Sequence, residues 1–185
     1  MQNNIFKTTM NNGLVLGVLF FVNFLLSTAS NAWIGLITYL ITIVIVIFTY
    51  KKSIRYRDVD CKGHIKYGTV FSFVVLSFLF ASLVTAILKI IYLKYINTDF
   101  LPNLYEQMLA QIDANQALFE GLLDRFNAPL DDDFYEKIEK MMNPVSYAIQ
   151  TIWVNILYGG LLGAILGFIV MKKESIFDDK TLNNS

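Results

Sequence analysis

Few residues in this 185-residue chain have the types and spacing to do chemistry. Cys61 is the only cysteine and His64 the only histidine, three positions apart. A thiol beside an imidazole can make an activated nucleophile, but it needs a third, orienting group that this segment does not supply. One histidine cannot build a multi-histidine zinc site, and one cysteine cannot make an intramolecular disulfide or a thiolate cluster. Asp131-Asp132-Asp133 present hard oxygen donors suited to Ca²⁺, but their spacing matches no EF-hand loop. Three acids before a helix serve its N-terminal dipole more simply. No phosphate-cradling glycine loop and no nucleophile elbow occurs. The expectation is no catalytic residue, no cofactor and no metal.

The remaining polar groups of interest lie inside apolar stretches. Asn23, Gln150 and Asn155 carry amides that can bond a neighbouring helix or line a solute path. Lys89 is the one ionisable group set within such a stretch, near its end. A lysine stem there can snorkel to the membrane interface, and Tyr92, Lys94 and Tyr95 suit an interfacial belt. Lys89, Tyr92 and Tyr95 are therefore expected to act as interfacial anchors. Gly159, Gly163 and Gly167 recur every four residues, a pattern that lets helix backbones approach closely. They can pack within one chain or form a seam between two. Gly13 and Gly17, and Ser77, Ala81 and Thr85, are possible complements.

These groups must be positioned by membrane helices. The hydrophobic fraction is 55%, above the ~45–50% of soluble domains. Residues 8–50, 67–88 and 141–171 contain no Asp, Glu, Lys or Arg. Each is long enough to span a bilayer, which takes ~20 residues. Ser27-Thr28-Ala29-Ser30-Asn31 divides the first into two, so four spans are expected at about 11–29, 32–50, 67–91 and 144–170. Ile43-Val44-Ile45-Val46-Ile47 is β-branched, yet hydrocarbon requires a helix, because an isolated strand leaves its backbone unpaired. Asn143-Pro144 makes a good helix start. The formal net charge is zero, so no basic surface suits nucleic acid.

Residues 97–143 read as an amphipathic insertion. From Leu101 to Phe126, apolar residues recur at offsets of three and four. Ala128-Pro129 breaks the pattern, and a second helix is expected over about 132–142, with Asp133 and Glu136 as a capping box. The stripe can cap the bundle as a helical hairpin, lie on the bilayer, or dock on another protein. The fold class expected is all-α: a single four-span membrane domain over 1–185 with a helical hairpin between spans three and four.

Segments 1–10, 51–66 and 171–185 hold ten Lys/Arg, whereas 97–143 holds three with ten acids. The positive-inside rule then puts both termini in the cytoplasm and 97–143 outside. Lys7, an apolar core and Ser30-Asn31-Ala32 also resemble a cleavable secretory signal, against which stand the weak charged region and the span that follows at once.

Several segments resemble a known family. They are Ile91-Tyr92-Leu93-Lys94-Tyr95-Ile96-Asn97-Thr98-Asp99-Phe100, Ile65-Lys66-Tyr67-Gly68-Thr69-Val70-Phe71, Met142-Asn143-Pro144 and the closing Lys172-Lys173. Together they resemble the Bacteroidota membrane family called domain of unknown function 4199, which usually has proline at the position of Thr98. The resemblance implies a four-span protein of the Gram-negative inner membrane, in contact with the lipid bilayer, and supplies no activity. In the first motif Asp99 suits the N-cap of the outer helix. A non-enzymatic accessory or assembly component of the envelope is the expected role, with other membrane proteins or a homo-oligomer as partners. A small oligomeric transporter or channel is the alternative.

Overall fold

A computed structural model describes residues 2–28, 32–123, 125 and 131–172. They are helical, with no strand among them: α1 (Gln2–Ser27), α2 (Ala32–Arg55), α3 (Tyr67–Ile91), α4 (Phe100–Ala114), α5 (Gln116–Leu123), α6 (Asp132–Met141) and α7 (Pro144–Val170). Four stretches are long and apolar enough to cross a membrane: Ile5–Ser27, Gly35–Asp60, Tyr67–Ile96 and Pro144–Val170. Two outlast the sequence expectation because α2 and α3 end in wider turns, Cys61 N–H bonding Tyr56 C=O and Asn97 N–H bonding Tyr92 C=O. The first begins earlier than residue 11. Thr9 and Asn12 are polar but buried, and the Thr9 hydroxyl donates to its own helix at Ile5 C=O, 2.8 Å away. Ser30-Asn31 of the possible cleavage motif and the Ala128-Pro129 break lie outside the described residues.

The chain divides into two compact units: Met1–Thr85 with Ile152–Ser185, and Ala86–Thr151.

In the first unit, glycines set the helix spacing. Gly13 lies against Phe80, Ala81 and Ser77 of α3, and Gly17 against Ala81 and Val84. Residue numbers rise together, so α1 and α3 run parallel. Gly159 lies against Phe78, Gly163 against Phe71 and Val74, and Gly167 against Tyr67. Here the numbers run in opposite senses, so α7 is antiparallel to α3. Half of the most apolar part of α3 is buried, against 17% for α2 and 22% for α7, which makes α3 the central helix. Its Phe73 and Phe78 share one core cluster with Leu16, Ile45 and Leu166. Phe20 meets Phe78 edge-on at 5.3 Å, and Tyr56 stacks on Phe73 at 4.5 Å.

The outward faces of α2 and α7 are apolar, with Trp33, Tyr39, Leu40, Trp153, Leu157 and Phe168 all more than 60% exposed. So much continuous apolar surface suits lipid rather than water.

In the second unit, the described residues of 97–143 carry three α-helices, the expected first helix being divided into α4 and α5. Asn115 ends α4: its side chain donates to Gln111 C=O at 3.0 Å, and α5 restarts from its carbonyl. Such side-chain bonds compete with the helix ladder. Leu101, Ile112 and Ile138 are buried, whereas α5 buries nothing and leaves Leu118 and Leu122 exposed.

Candidate functional site

Three places carry the polar chemistry of the described residues. The first is the interior of unit one. Its hydroxyls are spent on backbone carbonyls: Thr49 on Ile45, Ser53 on Thr49 and Ser77 on Phe73, all within 2.9 Å. Thr85 alone reaches another helix, its hydroxyl lying 3.0 Å from Gly17 C=O and 2.8 Å from Ala81 C=O. Asn12 Nδ2, Asn23 Oδ1 and Asn155 Nδ2 are buried and have no hydrogen-bond partner among the described residues. Gln150 differs: it is exposed, and its amide donates to Met141 C=O at 3.4 Å. The seam residues Gly159, Gly163 and Gly167 all abut α3 of the same chain.

The second place is the end of unit one that carries the cations. Ile65 and Lys172 exchange two backbone hydrogen bonds of 2.9 and 3.0 Å. Arg57 donates to Asp58 at 2.7 Å and to Val170 C=O at 3.3 Å. Cys61 and His64 belong here. The Tyr56 hydroxyl is hydrogen-bonded to the Cys61 thiol, and His64 N–H bonds Cys61 C=O. Burial pushes the thiol above its ordinary range, with the Tyr56 bond pulling the other way. A raised pKa leaves less thiolate near neutral pH.

The third place is in unit two. Lys89, expected as an interfacial anchor, is only 8% exposed: its Nζ donates to Thr151 Oγ1 at 3.0 Å and lies 5.2 Å from the Tyr147 ring centre. Thr151 in turn donates to Tyr147 C=O. Spacing along the chain hides this arrangement, because the hydroxyl and the ring come from another helix. Of the other expected anchors, Tyr95 is exposed, and Tyr92 is half-buried and accepts from the Asn97 amide at 3.2 Å.

Two caps also differ from expectation. Asp99 precedes α4 but makes no side-chain capping bond, because its own backbone is already helical, with φ −85° and ψ −10°. Asp131, extended at ψ 177°, caps α6 by accepting from Phe134 N–H at 3.0 Å, so the cap is not Asp133. Asn143 does cap α7, accepting from Val145 N–H at 3.0 Å.

Between α4 and α6 lies a cleft of about 430 Å³ lined by Thr98, Leu101, Pro102, Tyr105, Glu139, Met142, Asn143 and Pro144. One carboxylate, one phenol, the Thr98 hydroxyl and the Asn143 amide beside Leu101, Pro102, Met142 and Pro144 can hold a side chain or a small amphipathic group. Acid–base catalysis of glycoside type needs two carboxylates. No group of three His, Cys, Asp or Glu arranged to hold a metal occurs among the described residues.

Four long apolar helices around a glycine-packed interior define an all-α membrane protein. The chain belongs to the family described as "Protein of unknown function (DUF4199)", whose profile matches residues 11–172. No curated protein and no solved structure matches it.

Proposed function

We propose that this protein is a non-enzymatic, multi-pass accessory or assembly component of a bacterial inner membrane. Both termini face the cytoplasm, and residues 97–143 face the extracytoplasmic side. The supporting observation is the close helix packing within unit one. Gly13, Gly17, Gly159, Gly163 and Gly167 are met by side chains and backbone of α3, and buried hydroxyls such as those of Thr49 and Ser77 are bonded to main-chain carbonyls. Packing of this kind uses those small-residue faces within the chain. What remains for recognition is the outer surface, including the apolar face of α5 with Leu118 and Leu122. An amphipathic face of this kind needs a cover.

Orientation rests on the excess of Lys and Arg in segments 1–10, 51–66 and 171–185 over residues 97–143. The resemblance to Bacteroidota proteins favours the inner membrane of a Gram-negative cell. The non-enzymatic reading is supported by the half-buried Cys61 thiol, whose pKa is raised, and by the single carboxylate in the α4–α6 cleft.

A photo-crosslinking residue at Leu118, compared with one at the lipid-exposed Leu161, tests the role in cells. One reproducible protein adduct at Leu118 and none at Leu161 is expected. Lipid adducts alone at both positions would count against it.

A small oligomeric transporter is the second reading, favoured by the unpartnered buried amides of Asn12, Asn23 and Asn155. A leftover polar group in hydrocarbon costs energy unless water or solute satisfies it. Solute flux into sealed vesicles, abolished by Asn155→Leu, would establish it; silence across solute classes would remove it.

A further inference from the structure

Lys66 and Lys172 are far apart in sequence, but the paired backbone bonds between Ile65 and Lys172 bring them together at one end of unit one. Arg57 reaches the same place, because its guanidinium bonds Val170 C=O. Residues 51–66 with Lys172 carry seven cations (Lys51, Lys52, Arg55, Arg57, Lys62, Lys66 and Lys172) against Asp58 and Asp60, a net charge of +5. Lys52 is turned onto the Phe48 ring, and Arg57 is paired with Asp58. Lys62, Lys66 and Lys172 are exposed.

This cationic rim adjoins apolar surface. Phe168 and Ile169, within one helical turn of Lys172, are 67% and 58% exposed, and Val59 beside Arg57 is 68% exposed. Cations that meet an open hydrocarbon-facing surface fit a molecule with a phosphate at one end and acyl chains at the other. A free phosphate ion or a nucleic acid would use the charge and leave the apolar collar in water.

We propose that Lys62, Lys66 and Lys172, with the Phe168–Ile169 face of α7 beneath them, form a docking surface for the headgroup of an anionic phospholipid. Basic clusters at the cytoplasmic membrane surface recognise such headgroups, each cation contributing about a five-fold factor in binding. The proposal rests on the bilayer reading of the four helices and not on the partner reading.

Native mass spectrometry tests it, with the full chain released from mixed micelles of phosphatidylglycerol and phosphatidylcholine. Retained phosphatidylglycerol should exceed its share of the mixture, and Lys66→Gln with Lys172→Gln should cut that preference by about 25-fold. Lys137→Gln with Lys140→Gln should leave it unchanged. Lysophosphatidylglycerol should displace the bound lipid, and millimolar inorganic phosphate should not. Equal retention of the two lipids, an undiminished preference in the Lys66/Lys172 variant, or displacement by phosphate would overturn the proposal. Circular dichroism and thermal midpoints of both variants, expected to match the parent chain, separate loss of the site from loss of the fold. No partner protein enters the experiment, so its failure leaves the accessory role untouched.

Discussion

Gly159→Ala should destabilise the helix bundle, whereas Gly160→Ala should not. At Gly159 an added Cβ would sit 2.6 Å from Phe78 Cβ and 2.8 Å from its Cγ. Ordinary contact begins at 3.4 Å, so α7 must retreat by about 0.8 Å or Phe78 must move. Phe78 is 3% exposed and braced by the Phe20 ring, so it has little room. Overpacking of this kind costs ~1–3 kcal/mol, offset by up to ~1 kcal/mol from alanine's better helix propensity. At Gly160 nothing lies within 4 Å, so only the propensity gain applies. The two variants should differ by ~1–3 kcal/mol, or several degrees in midpoint for a chain of this size. Thermal unfolding in one detergent, followed by the tryptophan signal, reads the difference. Equal midpoints would refute the close approach of α7 to α3. Normal stability with a changed oligomeric mass would instead assign the glycine face to a subunit seam.

Three further outcomes follow from the same geometry. Lys89→Met keeps the buried volume and removes a charge with its desolvation cost, so the midpoint should stay within ~1.5 kcal/mol of the parent, whereas Lys89→Ala should lose ~2–5 kcal/mol through the cavity it leaves; thermal unfolding decides, and an equal loss in both would show that the ammonium contact dominates. Cys61 should alkylate more slowly with iodoacetamide than a free thiol at pH 8 and should gain rate above the ordinary thiol range, because its raised pKa leaves less thiolate at any given pH; labelling at the rate of free cysteine would contradict the raised pKa. Asp131→Ala should cost α6 ~0.5–2 kcal/mol by removing the bond from Phe134 N–H, more than Asp133→Ala, which loses only a dipole contact of ~0.3–1 kcal/mol; limited proteolysis across residues 125–141 should rank the two, and the reverse order would refute the cap.

The four apolar helices were legible because hydrocarbon leaves one solution for a charge-free run of 20 residues. Asn143-Pro144 marked the start of α7 because local chemistry alone decides it. The inward turn of Lys89 was not legible, since its hydroxyl and aromatic partners come from Thr151 and Tyr147 on another helix. The early start of α1 was hidden by Thr9, a polar residue that reads as flank but is buried. Among three consecutive aspartates, the capping residue is set by backbone geometry, and only Asp131 has the extended conformation. The break at Asn115 falls where the stripe lapses from Ile112 to Leu118, a gap that periodicity alone reads through and that the Asn115 side chain turns into a helix end by bonding its own helix. The meeting of Lys66 with Lys172 depends on a bridge between distant segments, which no local pattern encodes.

The accessory role is tested most directly by the mass of the protein in membrane patches excised without detergent, with identification of what accompanies it. A fixed-stoichiometry complex containing a second membrane or envelope protein is the expected result. The 21.1 kDa chain alone with lipid, or a homo-oligomer that conducts a solute, would contradict the account.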